Sequence, residues 1–263
     1  MANTYVAPNF DIDTSCNVAD LITLKGSAIA TTDLIYISNA ATVTAEQNLS
    51  ILSFYFGDNV AGTAGTKTGH LIINDNVTVN LYHTTVHYGL YGEGSTSTIT
   101  SSGTGSKITC NTPDKVTNYY ISTCKIDFSA GGEIEHIYSL YMGAAGNTFP
   151  NTIFRDCYNA IHFQGSYNKL PVSMDGAQFI GCASSIYDLT AGTTDTIDWG
   201  DYFVINKIKL TGNSDGSSQF LLRFGTTPGI SRYIRFESSA IPLHNKYRKG
   251  LKGISNVSIK NRN

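Results

Sequence analysis

Two ten-residue segments of this chain repeat each other, and the repeat limits the fold more than any other feature. Thr152 to Ile161 reads Thr-Ile-Phe-Arg-Asp-Cys-Tyr-Asn-Ala-Ile, and Ala177 to Ile186 reads Ala-Gln-Phe-Ile-Gly-Cys-Ala-Ser-Ser-Ile. Phe154 and Phe179, Cys157 and Cys182, and Ile161 and Ile186 recur at one offset of 25 residues. A second, weaker repeat relates Asn48–Phe54 to Asn76–Tyr82 at an offset of 28, and Lys107-Ile108-Thr109-Cys110 reads as a further copy. A period in the twenties has few physical solutions. Leucine-rich repeats need a Leu and Asn ladder that is absent here, and helical repeats need a 3.6-residue spacing that is absent too. A β-solenoid remains, with short strands joined by turns rich in Gly, Asn, Asp and Ser. Equivalent side chains of successive coils then stack about 4.8 Å apart. One coil cannot bury its apolar face alone, so coils must stack and the ends must be capped.

The strand patterns agree with this. Leu71, Ile73, Val77, Val79 and Leu81 share one parity, and Thr42-Val43-Thr44 and Thr98-Ile99-Thr100 are short β-branched runs. Residues 57–69 and 92–105 read as glycine-bearing loops. Past Thr190 the 25-residue repeat stops. Tyr202–Leu210, Gln219–Phe224 and Ser231–Glu237 read there as strands joined by Gly-containing turns, a pattern of antiparallel hairpins. The expected organisation is an all-β chain. Residues 1–20 form an N-terminal arm or cap, 21–189 a single-stranded parallel β-helix, and 190–263 a small antiparallel β cap or attachment domain.

Composition fits a long β surface. Hydrophobic residues are 41% of the chain but charged residues only 14%, against about 25% in an ordinary soluble domain. Tyr is frequent (16 residues), as in proteins whose rings lie half buried with a wet hydroxyl. A net charge of −2 gives no global pull toward nucleic acid. The last twenty residues are locally basic, with Lys246, Arg248, Lys249, Lys252, Lys260 and Arg262 and no acid, a tail able to dock on an acidic partner. No apolar run approaches the roughly 20 residues of a membrane span, and Met1–Asp20 lacks the pattern of a Sec-type leader. The five cysteines, Cys16, Cys110, Cys124, Cys157 and Cys182, contain no Cys-x-x-Cys and read as buried free thiols.

The Phe-x-x-Cys-x-x-small-Ile units at Phe154–Ile161 and Phe179–Ile186 resemble right-handed parallel β-helix proteins of the pectin-lyase-like class. Gly69–Val79 is similar to adhesin-type β-solenoids. The class includes polysaccharide lyases and hydrolases, bacteriophage tailspikes and fibres, and surface adhesins, so the resemblance implies a fold before a function. Its galacturonan hydrolases carry an Asn-Thr-Asp, an Asp-Asp pair, a Gly-His-Gly and an Arg-Ile-Lys. Here there is no Asp-Asp and no Arg-Ile-Lys, and Gly69-His70 is followed by Leu71. The carboxylate cluster that binds calcium in pectate lyases is also missing from the repeats.

Four groups of residues are candidate sites. Tyr82, His83, His87, Tyr88 and Tyr91 form an aromatic and imidazole stretch suited to a protein contact or to sugar stacking. Asp198 and Trp199, flanked by Asp195, Asp201 and Tyr202, hold the densest acids and the only Trp. A metal or glycosidase site there would need the acids to converge. Glu133 and Glu135, followed by His136, share a strand face, which would bring two carboxylates together and raise one pKa. The basic tail is the fourth. No catalytic residue, metal ligand or cofactor site is assigned.

These features lead to an expected non-enzymatic virion protein, such as a head fibre, capsid decoration or tail-fibre component, located on a virion or extracellular surface. Its expected partners are other virion or surface proteins and a host cell-surface glycan. A homotrimer is expected, with no nucleic acid and no membrane insertion. The alternatives are a surface adhesin and a β-helix polysaccharide depolymerase.

Overall fold

A computed structural model describes residues 2–57, 68–82, 90–92, 96–110, 120–122, 124–141, 146–164, 172–174, 176–182 and 184–189, with short strands between Ile197 and Lys252. For 120–122, 141, 163–164, 172–173 and everything from 184 onward, only the backbone is described.

The chain is a parallel β-solenoid. It opens with a hairpin, β1 (Thr4–Val6) and β2 (Asn9–Ile12), whose strands are antiparallel. Then come β3 (Cys16–Asn17), helix α1 (Val18–Lys25), β4 (Leu34–Ile37), β5 (Ala41–Ala45) and β6 (Leu49–Ile51). From β4 through Ser184–Leu189, strands are dealt in turn to a first, a second and a third sheet. These contain 11, 8 and 7 strands, and apart from β1 and β2 their neighbours pair in parallel.

Each sheet buries alternate side chains as a column of like residues. Phe10, Ile35, Phe54, Leu90, Ile121 and Leu140 are successive partners in the first sheet. Val43, Leu71, Ile99 and Ile126 are partners in the second and are fully buried. In the third, Leu49, Val79, Ile108, Ile134, Phe154, Phe179 and Leu210 are partners. The rings of Phe154 and Phe179 stack 5.0 Å apart at 7°, and Ile161 pairs with Ile186. Cys157 and Cys182 are both buried. The 25-residue repeat is thus one step of the solenoid, with its Phe and Cys markers in the core and its Ile markers paired through the backbone.

One detail of the reading changes. Leu49 pairs with Val79 and Ile51 with Leu81, so the upstream offset is 30, not 28. A two-residue slip preserves the inward parity, which is why the pattern alone could not exclude it. Leu71, Ile73, Val77, Val79 and Leu81 are all buried, as their common parity predicts, although they span two strands. A corner at Asn74–Val77, with Asn76 at φ 60°, passes the chain from the second sheet to the third.

The described strands past Thr190 also correct the expected antiparallel hairpins. Phe203–Val204, Lys209–Thr211 and Phe220–Phe224 pair in parallel with Val172–Ser173, Gln178–Ile180 and Ser184–Leu189. Leu251–Lys252 pairs in parallel with Phe220–Phe224, and Ile197–Asp198 with Arg232–Tyr233. The same three sheets therefore continue where the 25-residue repeat stops, while Ile197–Asp198 and Arg232–Tyr233 form a separate two-stranded sheet. Longer connections hide the period: the step from Phe179 to its partner Leu210 is 31 residues.

Helix α1 stands where the third sheet would otherwise receive a strand, and it buries Val18 and Leu21 in the core. It is capped from two directions. Asn17 and Asp20 form a reciprocal capping box, with both hydrogen bonds 2.9 Å. The Glu46 carboxylate, just past β5, accepts from the N–H groups of Val18 and Ala19, each at 2.9 Å. Three side chains, Asn17, Asp20 and Glu46, thereby satisfy the four N–H groups of Asn17 to Asp20 at the start of the helix. Downstream, Lys25 pairs with the buried carboxylate of Asp33, which also accepts from Tyr5 Oη and from the Ala30 N–H. The ammonium lies 5.5 Å from the Tyr5 ring centroid. Burial alone would lower the Lys25 pKa, but the Asp33 hydrogen bond and charge outweigh it and raise it. Hairpin, helix and first coil are tied together at this point.

Removing one core ring should cost far more than removing one cap. In urea unfolding, Phe154→Ala is expected to lose about 3–5 kcal/mol, because a cavity opens and Phe179 loses its stacked partner. Glu46→Ala is expected to lose about 1 kcal/mol.

Candidate functional site

The three sheets present different outer faces. On the second, Thr42, His70, Thr98 and Lys125 are partners along one outward row. His70 Nδ1 lies 2.9 Å from Thr98 Oγ1, and Lys125 Nζ lies 3.6 Å from Asp127. The third sheet carries an ion network. Lys107 Nζ is 2.7 Å from Glu135 and 3.8 Å from Glu133, and Arg155 Nε donates to Glu133 at 2.6 Å. His136 lies 3.8 Å from Glu135 and 3.9 Å from Asp156. The expected carboxylate pair is therefore interleaved with two cations. Burial pushes the Glu135 carboxyl up, but its Lys107 and Thr109 hydrogen bonds and the charges of Lys107 and His136 hold it below its ordinary value. This reverses the anticipated rise and removes the reason to see a general acid there.

The first sheet turns tyrosines outward. Tyr36 sits between Ile35 and Ile37, and Tyr55 between Phe54 and Phe56. All four flanking residues are buried while both tyrosines are half-buried. Tyr36, Tyr55 and Tyr91 are successive partners. The Tyr36 and Tyr55 rings stack at 5.0 Å and 17°, and Tyr91 meets Tyr55 edge-on at 5.8 Å and 63°. Burial, then the charge of Asp11, raises the Tyr36 pKa, so its hydroxyl stays protonated. Along the backbone of this sheet Tyr91 pairs with Ser122, and further on Tyr141 pairs with His162 and His162 with Tyr187. A second column lies at the corner entering this sheet, where the Tyr138 and Tyr158 rings stack 4.7 Å apart at 5°. Tyr82 occupies the equivalent corner: its N–H donates to Ile51 O as that of Tyr158 donates to Ile137 O.

The face thus gathers Tyr82 and Tyr91 from the predicted set, in neighbouring columns. His83, His87, Tyr88 and Trp199 lie outside the described residues. Asp198 is described by its backbone alone, paired with Tyr233. Of the basic tail, only Lys252 is placed, as backbone in the terminal strand of the first sheet. Sequence reasoning missed Tyr36 and Tyr55. Their signal was present in Ile-Tyr-Ile and Phe-Tyr-Phe, where a tyrosine takes the outward parity between two core residues.

The stacked pairs Tyr36–Tyr55 and Tyr138–Tyr158 each turn one face of each ring to the other, and Tyr91 meets Tyr55 by its edge. A row of half-buried tyrosines suits hydrogen-bonded protein contact.

Beside this row, His162 is buried and bonded through Nδ1 to Ser139 Oγ, with Asn159 Nδ2 donating to the same hydroxyl at 3.4 Å. Burial lowers the His162 pKa to about 3. The cysteines match the expectation of unreactive thiols. Four are buried and Cys16 is half-buried, with burial pushing Cys110 up to about 12 and Cys16 to about 11. Among the described residues, no three His, Cys, Asp or Glu side chains are grouped to hold a metal ion, and no helix is long and apolar enough to cross a membrane. Compared with protein-family models, curated proteins and solved structures, the chain finds no match.

The pH dependence of stability has two separable windows. Native His162 stays neutral down to about pH 3, whereas an unfolded His takes up a proton near pH 6.5. The unfolded chain therefore binds more protons between those values, and stability falls as pH drops through that range. Glu135, also depressed, contributes above the unfolded carboxylate pKa and loses that contribution as pH falls through its native value. Melting temperatures measured from pH 7 to 2 should show His162→Asn flattening the upper window. Glu135→Gln should flatten only the acid end.

Proposed function

We propose that this protein is a non-enzymatic structural element of a virion, a head fibre, capsid decoration or tail-fibre component, acting as a rigid spacer on the particle surface. One observation carries the reading: the third-sheet core column, Leu49 through Leu210, is apolar in every member. A rod built this way has axially paired backbone and a close-packed interior of low compressibility. Bending it means opening several ladders at once, so it transmits force and holds its ends at a fixed separation. The outward surface is also largely committed to internal contacts, in the ion network on the third sheet and the stacked tyrosines on the first.

The test is immunogold labelling, with antibody raised against the purified chain, of released particles and intact cells from the source culture. Label at regular positions on particles is the expected result. Label confined to cell surfaces would replace this reading with the adhesin alternative. Label on neither would end both.

A further inference from the structure

We propose that Cys157 and Cys182 are a latent disulfide between neighbouring coils, closed by exchange with a small-molecule disulfide while the chain folds and sealed by burial afterwards. The bridge is independent of where the rod is displayed.

The two thiols occupy the same place one rung apart. Each stands two residues past a strand of the third sheet, Cys157 after Thr152–Arg155 and Cys182 after Gln178–Ile180. Phe154 pairs with Phe179 and Arg155 with Ile180 before them, and Asn159 with Ser184 and Ile161 with Ile186 after them. The register is therefore locked on both sides of the corner. The thiol contacts repeat as well. Cys157 Sγ donates to Ile134 O and to Arg155 O, both at 3.5 Å, and Cys182 Sγ donates to Phe154 O at 3.5 Å and to Ile180 O at 3.8 Å. Ile134 and Phe154 are partners, as are Arg155 and Ile180. The Cys182 sulfur thus already leans toward the rung that holds Cys157.

The separation suits a bond. Rungs lie about 4.8 Å apart, and the Phe154 and Phe179 rings, three residues before the thiols, stack at 5.0 Å. A disulfide joins Cα atoms about 4.4–6.8 Å apart. Rotation of Cys157 about its Cα–Cβ bond, away from Ile134 O, brings the sulfurs together. Cys110 ends a strand two rungs away in the same sheet, about 9.6 Å, past the roughly 7 Å limit for bridging. Cys124 precedes a strand of the second sheet, and Cys16 lies in the first strand of that sheet. Of the five cysteines, only Cys157 and Cys182 are one rung apart.

Burial sets when the bond forms. Both residues are buried, and burial, then the neighbouring Cys182 thiol, raises the Cys157 pKa well above its ordinary value. The thiolate that exchange requires is therefore scarce in the folded chain. In the unfolded chain a thiol ionises near its ordinary pKa of about 8.5. One chain thiolate attacks the small disulfide, expels one small thiolate and leaves a mixed disulfide. As the two rungs stack, the other chain thiolate attacks the chain sulfur of that mixed disulfide and expels the second small thiolate. One S–S bond forms in the chain and one breaks in the oxidant. Two electrons pass to the oxidant, and the two thiol protons leave on the two small thiols.

The experiment refolds the full chain from urea in a buffer of oxidised and reduced glutathione, or in dithiothreitol, and maps each product by mass spectrometry of unreduced digests. The glutathione sample is expected to lose two hydrogen atoms, to yield one bridged peptide pair containing Cys157 and Cys182, and to unfold at a higher urea midpoint than the reduced chain. A chain folded in dithiothreitol and then moved to the glutathione buffer should gain the bridge more slowly by about tenfold or more. If refolding from urea fails, expression in a reducing and in an oxidising host cytoplasm supplies the two samples. Cys157 and Cys182 both free to alkylate after oxidative folding, glutathione retained on either, or a bridge to Cys110 or Cys124 would overturn the proposal. So would a bridge that leaves the urea midpoint unmoved, or one that forms as fast in the folded chain.

Discussion

The structure depends on the stacking of like side chains across parallel strands about 4.8 Å apart. Each rung buries an aliphatic or aromatic group against the rungs above and below, and axial backbone hydrogen bonds hold the spacing. Neither contribution suffices alone. A parallel sheet must be covered on its inner face, and the other two sheets of the same coil do this by closing around the interior. The ladders therefore explain the composition: apolar residues alternate inward, and the outward positions are free to be Thr, Ser, Asn or Tyr.

The corners matter as much as the rungs. Asn76, Asn151 and Gly176 share the turn from the second sheet to the third, at φ 60°, 54° and 76°. A Cβ at Gly176 would fall on the Asn151 side chain, so the turn is both left-handed and closely stacked. Asn and Gly recur there because those residues tolerate this backbone region best. The ends need a different device. A helix cannot continue a β-ladder, but α1 can cover one, and the Glu46 carboxylate reaching from the next coil docks its N-terminus onto the sheets below.

Much of this was legible in the sequence, for a physical reason. Phe154 and Phe179 announced the fold because the rungs that follow them keep the same 25-residue offset, as Ile161 and Ile186 do. Other steps of the same column, Leu49 to Val79, Ile108, Ile134 and Phe154, take 30, 29, 26 and 20 residues. Connections are exposed and tolerate change in length, while rungs do not. A fixed-period search therefore finds only neighbours with equal loops, and it misreads the chain past Thr190, where the steps lengthen but the parallel pairing persists. The candidate face was harder to see. Tyr82 and Tyr91 stood out as part of an aromatic run, yet Tyr36 and Tyr55 are 19 residues apart and become neighbours only through the register. The Glu133 and Glu135 reading failed similarly: strand parity placed them on one face, but only pairing brings Lys107 and Arg155 beside them.

The division of labour among the three faces follows from the same geometry. A solenoid gives each outward residue two axial neighbours, so a face acquires its character by columns. Opposite charges stabilise a column only when they alternate in sign or sit diagonally, as Lys107, Glu133 and Arg155 do. Such a column is internally satisfied and gains little from a partner, because its ions would have to be desolvated again. On the first sheet the axial neighbours are aromatic instead: Tyr36 and Tyr55 satisfy each other by stacking, so this column is held by ring contact rather than by alternating charge.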